Sequence, residues 1–385
     1  MSSVVVSRQG ADRIRRGHLW VYRTDVKNST AQSGEVVDVI GGRGELWGKA
    51  FYSHESQIAL RMLTTRGEDV DPGFWGRKLE EALKFREEIG ARTEAYRWIH
   101  GESDGIPSLI IDRYGDYVVL QTLSQGTERL KETLVHLIVD LVRPKGILER
   151  NDPKVRALEG LHLVKRSIHG DVPRSMTIRE EGILFHANLW EGQKTGLFLD
   201  QRENRAAARR RARGRALDVF CYDGGFSLNL ARACENVLSV DISKEALGRL
   251  RINAEANDIT NIETIEANAF DLLRELADRG ESFDSIVLDP PAFAKNRAAV
   301  QHAVRGYKEI NLRALKLLRP GGHLITSTCS YHIKEPDFLD IVTSAAADAG
   351  TRLVLLEKRM QSRDHPVLLT MPETHYLKCL LLQKR

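Results

Sequence analysis

An aspartate and a cysteine carry the most legible chemistry in this chain. The stretch FDSIVLDPP, from Phe283 to Pro291, is an apolar strand running into an acidic turn braced by Pro290 and Pro291. The stretch TSTCS, from Thr326 to Ser330, is a second apolar strand end and carries Cys329. Two such strands lying parallel and adjacent would bring Asp289 and Cys329 to one crevice, where open α/β sheets bind ligands. An acid beside a nucleophilic thiol suits chemistry on a flat, electron-poor ring such as a pyrimidine. Read alone, Cys329 is somewhat more simply a buried, inert thiol, and Pro290-Pro291 is a rigid turn, which is compatible with a functional role.

A second constellation precedes it. The segment DVFCYDGGF, from Asp218 to Phe226, ends a strand on Gly224 and Gly225, whose backbone can approach a ligand closely. It lacks the G-x-G-x-x-G dinucleotide fingerprint, so no pyrophosphate cradle is spelled out. The next strand ends in SVDIS, where Asp241, followed by Ile242, can accept both hydroxyls of a ribose. The third ends at Ala267-Asn268-Ala269, where an amide can meet an adenine edge. Glycine turn, ribose acid and adenine reader without a phosphate grip point together to S-adenosylmethionine. Singly, each has a structural explanation: Asp218 and Asn268 as helix caps, the glycines as a tight turn. Among the aromatics Trp190, Phe198 and Tyr307, Phe198 is the one expected beside the cofactor. Lys194 and Arg202 flank it and suit a methionine carboxylate, an RNA phosphate or plain surface charge.

These residues need a scaffold that delivers strand ends to one edge. From about residue 180 strands and helices alternate: RALDVFCY, NVLSVDIS, IETIEA, SIVLDP and HLITSTC, with helical patterns such as KEALGRLRINAEAND between them. Such alternation predicts a mostly parallel sheet with helices on both faces. Residues 1–72 read instead as a small β-rich module closing at the turn signal Asp71-Pro72-Gly73. Residues 73–180 read as an α+β segment with helices over Phe74–Ile89 and Leu130–Val142. The expected boundaries are therefore 1–72, 73–180 and 181–385.

The chain has 385 residues, 42% hydrophobic and 29% charged. No apolar run approaches the ~18 residues a membrane helix needs. The opening MSSVVVSRQGADRIRRGHLW carries its apolar run ahead of its charges, the reverse of a secretory leader, so a cytoplasmic location is expected. Cys221, Cys234 and Cys379 sit in apolar strand or helix patterns and are most simply core residues, with Cys329, at a strand end, the exception. The four form no C-x-x-C pair, and His302, His332 and His365 lack metal-ligand spacing, so no metal is expected. Net charge is only +4, but residues 202–215 hold seven arginines against one acid. Residues 1–66 hold ten Lys/Arg against six Asp/Glu. Clustered positive charge is the footprint of a phosphate backbone; a solvated helix face is the plainer interpretation.

The motifs GQKTGLFLDQRENR, DVFCYDGGF, DPPAFAKN, RGYKEIN, TSTCS and DHPVLLTMPETHYLK, in this order, resemble the RlmI-type 23S ribosomal RNA 5-methylcytosine methyltransferases. GHLWVYRTDV and SHESQIALRML resemble that family's PUA domain, a small RNA-binding β-barrel. The resemblance implies an α/β fold class: an N-terminal PUA barrel, a central α+β domain and a class I methyltransferase domain with a Rossmann-like sheet, HYLKCLLLQ supplying its antiparallel strand. It implies S-adenosylmethionine as cofactor, ribosomal RNA as partner, no membrane and Cys329 as nucleophile with Asp289 beside it. A homodimer is compatible with it. Phe198, Arg202, Asp218, Gly224, Gly225, Asp241, Ile242, Asn268, Ala269, Asp289 and Pro290 become the expected cofactor contacts. Asp223 and Asn268 depart from the family, where threonine and an acid are common. Many RNA cytosine-5 methyltransferases carry a second cysteine where this chain has Pro291, so release of the product needs another base or water. Two other readings remain open: an exocyclic-amine methyltransferase using Asp289-Pro290-Pro291 and Phe293, and an inactive RNA-binding or assembly protein.

Overall fold

The computed structural model describes residues 2–294 and 296–385; Met1 and Lys295, the latter within DPPAFAKN, lie outside the described residues. The chain divides into two compact units. One comprises Met1–Arg179, Ala187–Leu199 and Asp364–Thr374, the other Glu180–His186, Asp200–Arg363 and His375–Arg385.

The first unit holds two sheets. One runs, in hydrogen-bonding order, Trp20–Tyr22, Ile58–Thr64, Leu46–Tyr52, Val36–Ile40, Ser3–Val6 and Val26–Ser29. Alternating apolar residues, Val37 and Val39 on one strand, Val4 and Val6 on another, close its core with Leu60 and Met62. The second sheet runs Val164–Gly170, Gly146–Asn151, Tyr117–Thr122, Leu109–Tyr114 and Ala95–His100. Its one parallel pair, Tyr117–Thr122 with Gly146–Asn151, is bridged by the helix Gln125–Val142, because a parallel pair needs a crossover. Asp71-Pro72-Gly73 is a helix start rather than a simple turn. The Asp71 carboxylate accepts from Phe74 N at 2.7 Å, and Pro72 occupies the first helical position of Pro72–Phe85, where its missing N–H is harmless.

The six-stranded sheet meets the helical segments beside the second sheet at a seam. Phe51 stacks on Trp75 at 5.5 Å between centroids. Arg61 Nη2 meets Glu159 Oε1 at 2.7 Å, with side chains only 8% and 2% exposed. Removing one partner of a buried pair strands the other charge and costs about 3–5 kcal/mol, whereas replacing both by apolar residues is often neutral. Arg61→Ala is therefore expected to destabilise by about 3 kcal/mol, and Arg61→Met with Glu159→Leu to recover most of it. Urea unfolding midpoints that do not separate the single from the double variant would refute this.

The second unit is a seven-stranded sheet: β1 Arg215–Val219, β2 Asn236–Asp241, β3 Ile262–Glu266, β4 Phe283–Leu288, β5 Leu318–Thr328, β6 Leu353–Arg359 and β7 Lys378–Lys384. Its order is β3-β2-β1-β4-β5-β7-β6. The first five run parallel, and β7 lies antiparallel between β5 and β6, as HYLKCLLLQ predicts. The helices are α1 Arg202–Arg211, α2 Gly225–Ala231, α3 Lys244–Glu255, α4 Ala269–Asp278, α5 Val300–Leu317 and α6 Glu335–Asp348. Leu217, Ile286, Leu288 and Leu324 pack against α4, α5 and α6. Their chain neighbours Ala216, Val287 and Ile325 pack on α1 and α2. Strands covered on both faces must be apolar throughout, which is why they read as continuous hydrophobic runs.

Candidate active site

Strand order reverses between β1 and β4, and the carboxyl ends of β2, β1, β4 and β5 line one edge in that sequence. Crevices at such a reversal are the usual ligand sites of open α/β sheets. The turn after β1 is built from left-handed backbone at Phe220 (φ 67°), Tyr222 (φ 50°) and Gly224 (φ 93°). Non-glycine residues hold that conformation only where the surroundings impose it. Here Tyr222 N donates to Asp241 Oδ2 at 2.9 Å and Cys221 N to Val240 O at 3.0 Å. Asp241 Oδ1 accepts from Ser243 N at 2.9 Å. A carboxylate holding two backbone amides is fixed in direction, and each oxygen keeps a further lone pair. Ile242 beside it is 71% exposed, an apolar platform at the same strand end.

The two glycines answer to packing as well as to any ligand. A Cβ on Gly224 would stand 2.7 Å from Leu250 Cγ, and one on Gly225 3.2 Å from Arg205 Cδ. Asp218 is fully buried. Ser227 of α2 donates to its Oδ2 at 2.6 Å, and Ser239 donates to Ser227 at 2.8 Å. Asp218 Oδ1 has no partner. Burial pushes this carboxyl up to about 7, the negative Asp289 and Asp241 adding to the effect and the Ser227 hydroxyl opposing it. Asn268 caps α4 by accepting from Phe270 N at 2.9 Å and is exposed, while Ala269 is buried behind it.

Asp289 follows β4, and its N lies 3.5 Å from Val219 O, so acid and glycine turn are neighbours. Pro290 is buried beneath it. Gln201 Nε2 donates to Asp289 Oδ1 at 2.7 Å. Asn204 Nδ2 donates to Gln201 Oε1 at 2.6 Å, and Arg359 Nε to Asn204 Oδ1 at 3.0 Å, a relay that fixes which end of Gln201 faces the acid. Cys329 follows β5 and is half-exposed, whereas Cys221, Cys234 and Cys379 are buried. Burial pushes the Cys234 thiol up to about 11 and Cys379 to about 12, so these stay protonated. The cysteine that stood apart in the sequence also stands apart in the fold.

Ser330 joins the two strand ends. Its hydroxyl accepts from Ala294 N, in the loop after Asp289, at 3.2 Å and lies 2.9 Å from the Tyr307 hydroxyl. Tyr307 itself is core, fully buried against Phe293 at 4.6 Å between centroids. Gln201, Ser330 and Lys378 escaped the sequence reading. Lys378, at the start of β7, is 2% exposed and donates to Ser330 O at 3.3 Å and to Tyr376 O at 3.2 Å. Burial pushes its amine down to about 8.

The remaining expected residues are distributed over both units. Phe198 and Lys194 belong to the first unit, where the Lys194 ammonium stands 4.9 Å above the Phe198 ring. His365 also belongs there, buried 3.1 Å from the Asp364 carboxylate. The arginine run is not one solvated face. Arg202 is buried, and Arg205 is buried against Glu180 at 2.6 Å, while Arg210, Arg211 and Arg213 are exposed. No helix among the described residues is long and apolar enough to cross a membrane.

Comparison with known proteins bears on this arrangement. The PUA-like domain family matches residues 4–65, and the S-adenosylmethionine-dependent methyltransferase family matches residues 165–381. Ribosomal RNA large subunit methyltransferase I of Klebsiella pneumoniae subsp. pneumoniae is 39% identical, over 97% of this chain and 96% of its own length. The protein of that name from Escherichia coli K12 is also 39% identical, over 98% of each chain. Two solved structures share the fold along 100% of both chains. One is a methyltransferase complexed with SAH, at TM-score 0.86 and 21% identity. The other is a SAM-dependent methyltransferase from Streptococcus mutans, at TM-score 0.85 and 20% identity.

Proposed function

We propose that this chain, which belongs to the S-adenosylmethionine-dependent ribosomal RNA large subunit methyltransferase I family, methylates carbon 5 of a cytosine in 23S ribosomal RNA through a covalent adduct on Cys329. The observation that most supports this reading is the Ser330 tie, which joins the loop after the Asp289 acid to the turn bearing the half-exposed thiol.

The strand ends fit the cofactor. Asp218 Oδ1 is a buried acceptor without a donor, Asp241 keeps lone pairs for a diol, and Ile242 offers an apolar face to an adenine. Gly224, Gly225, Asn268, Ala269 and Pro290 shape the walls; Phe198 and Arg202 stay assigned to the same cofactor. When bound, the cofactor supplies an electrophilic methyl group on a sulfonium. Burial raises the Asp218 carboxyl to about 7, and a cationic ligand favours its ionised form. Cofactor binding near pH 7 is therefore expected to release protons, and fewer in Asp218→Asn. Calorimetry in buffers of different ionisation enthalpy reads this directly. Equal release by both proteins would remove Asp218 from the site.

Carbon 5 of cytosine is a poor nucleophile. The Cys329 thiolate adds to carbon 6 and makes carbon 5 enamine-like, splitting one hard step into easier ones. Asp289, its Oδ1 held by Gln201, acts in its protonated form, donating the carboxyl proton to ring nitrogen 3 and so stabilising the charge that attack creates. Carbon 5 then takes the methyl group, and loss of the carbon 5 proton restores the ring and releases Cys329. We assign residues 1–72 to a PUA-like RNA-binding domain, 73–180 to a central domain and 181–385 to the methyltransferase. The exposed Arg210, Arg211 and Arg213 supply further phosphate contacts, and a ribosomal substrate implies the cytoplasm. The test is to incubate the protein and labelled S-adenosylmethionine with ribosomal RNA from cells lacking the enzyme, then identify the product by mass spectrometry. 5-Methylcytosine is expected; N2-methylguanine or N6-methyladenine would overturn the reading.

A further inference from the structure

We propose that Lys378 is a positioning residue for methyl transfer, an ammonium that holds Cys329 in its thiolate form. The inference rests on Cys329 being the nucleophile.

Strand register makes the pair. β7 runs antiparallel to β5 with Lys378 opposite Thr328, the residue before Cys329. The lysine Nζ donates to the carbonyl of Ser330, the residue after Cys329, at 3.3 Å, and to Tyr376 O at 3.2 Å. A lysine on a strand ordinarily runs its stem to water and keeps its head there. This one is 2% exposed. Two carbonyls satisfy two of its three donors but bring no countercharge, and a buried ammonium needs one.

The charged groups around it can be enumerated. Burial pushes the amine down to about 8, and Lys334 before α6 pushes the same way. Cys329 is foremost among the groups that hold it up, ahead of Asp337 and Glu335 of α6. On α5, Tyr307 is raised by burial and by the Cys329 charge, so it faces the thiol as a neutral phenol. His375 is lowered by burial and by Lys378. Coupling of this kind is reciprocal: a thiolate that favours the ammonium is favoured by it equally.

The proton and electron movements balance. The thiol proton passes to the neutral Lys378 amine, leaving a thiolate and an ammonium. The sulfur lone pair then forms the bond to carbon 6, and the displaced carbon 5–carbon 6 pair, through the enamine, forms the bond from carbon 5 to the methyl group, whose former bonding pair stays on the cofactor sulfur. On release the carbon 5 proton leaves to water, the carbon–sulfur pair returns to sulfur, and the same ion pair is restored. Lys378 touches no reacting carbon.

The first measurement uses the full chain without RNA. Alkylation by iodoacetamide is followed against pH, with Cys329→Ala as the blank for the three buried cysteines. Lys378→Met is expected to move the alkylation midpoint up by about one pH unit and to slow alkylation at pH 7.5 roughly tenfold. The acidic limb of the kcat profile moves with it, and Lys378→Arg, which keeps the charge, restores most of both. A second measurement leaves Lys378 in place. In protein with 13C-labelled lysine, Cys329→Ser should lower the Lys378 titration by the same shift. An unchanged alkylation midpoint in folded Lys378→Met, or a Lys378 titration indifferent to Cys329→Ser, overturns the proposal. If the coupling is seen but 5-fluorocytosine RNA forms no adduct, the nucleophile reading fails and takes the catalytic role of Lys378 with it. If the adduct forms normally and the midpoint does not move, Lys378 alone fails.

Discussion

RNA carrying 5-fluorocytosine is expected to stay attached to the wild-type chain through a denaturing gel, and not to attach at all to Cys329→Ala. Fluorine cannot leave as a cation, so the cycle stops after methyl transfer with the sulfur–carbon bond intact. The trapped species therefore needs S-adenosylmethionine. Turnover on ordinary RNA should fall by about 10⁴-fold or more, the loss seen when a nucleophile that works as part of a unit is removed. Cofactor affinity should stay within about twofold, because the thiol acts on the base. Cys329 is half-exposed and follows β5, so alanine there disturbs little packing. Full methylation by Cys329→Ala would sink the cytosine-5 mechanism and favour the exocyclic-amine reading, which uses Asp289 and no cysteine.

Asp241→Ala carries the next largest expected effect, on cofactor binding. The carboxylate would meet the ribose through charge-assisted hydrogen bonds, whose loss is worth ~1.5–3 kcal/mol, roughly 10- to 150-fold in affinity. The structure adds a second reason. Asp241 also holds Tyr222 N and Ser243 N, each at 2.9 Å. Its removal unpins the left-handed turn at Tyr222 as well as the ribose contact. Asp241→Asn separates the two effects, since the amide keeps one acceptor oxygen and loses the other. The ordering expected by calorimetry is wild type tightest, asparagine intermediate, alanine weakest. Equal affinity across the three would take Asp241 out of the cofactor site.

The parts of this site legible in the sequence were those dictated by local pattern. Continuous apolar runs had to be strands covered on both faces, and their polar last residues, Asp241 and Asp289, had to emerge at one edge. The solitary exposure of Cys329 followed from the apolar settings of the other three cysteines. The parts that stayed hidden depend on distant pairings. Lys378 looks like an ordinary polar position in HYLKCLLLQ, and only the antiparallel register with β5 brings it beside Cys329. Gln201 reads as a loop residue until β4 delivers Asp289 to its amide. The arginine run misled because composition does not report facing. Arg202 and Arg205, one turn apart beside three alanines, mark the inward stripe of α1, with Glu180 waiting as partner to Arg205. Asp71-Pro72 shows the same ambiguity at short range, since the residues that break a chain also start a helix.

The buried pair Arg61–Glu159 carries a consequence for how such proteins diverge. Either charge alone is unfavourable in that seam, so a substitution at one position creates selection for a matching change at the other. The two sites should be inherited together among relatives, although 97 residues of chain separate them. A PUA-like module grafted from a relative should be tolerated only where donor residue 61 suits host residue 159. The seam therefore acts as a compatibility lock, restricting recombination at a boundary that sequence alone would mark as a convenient place to cut.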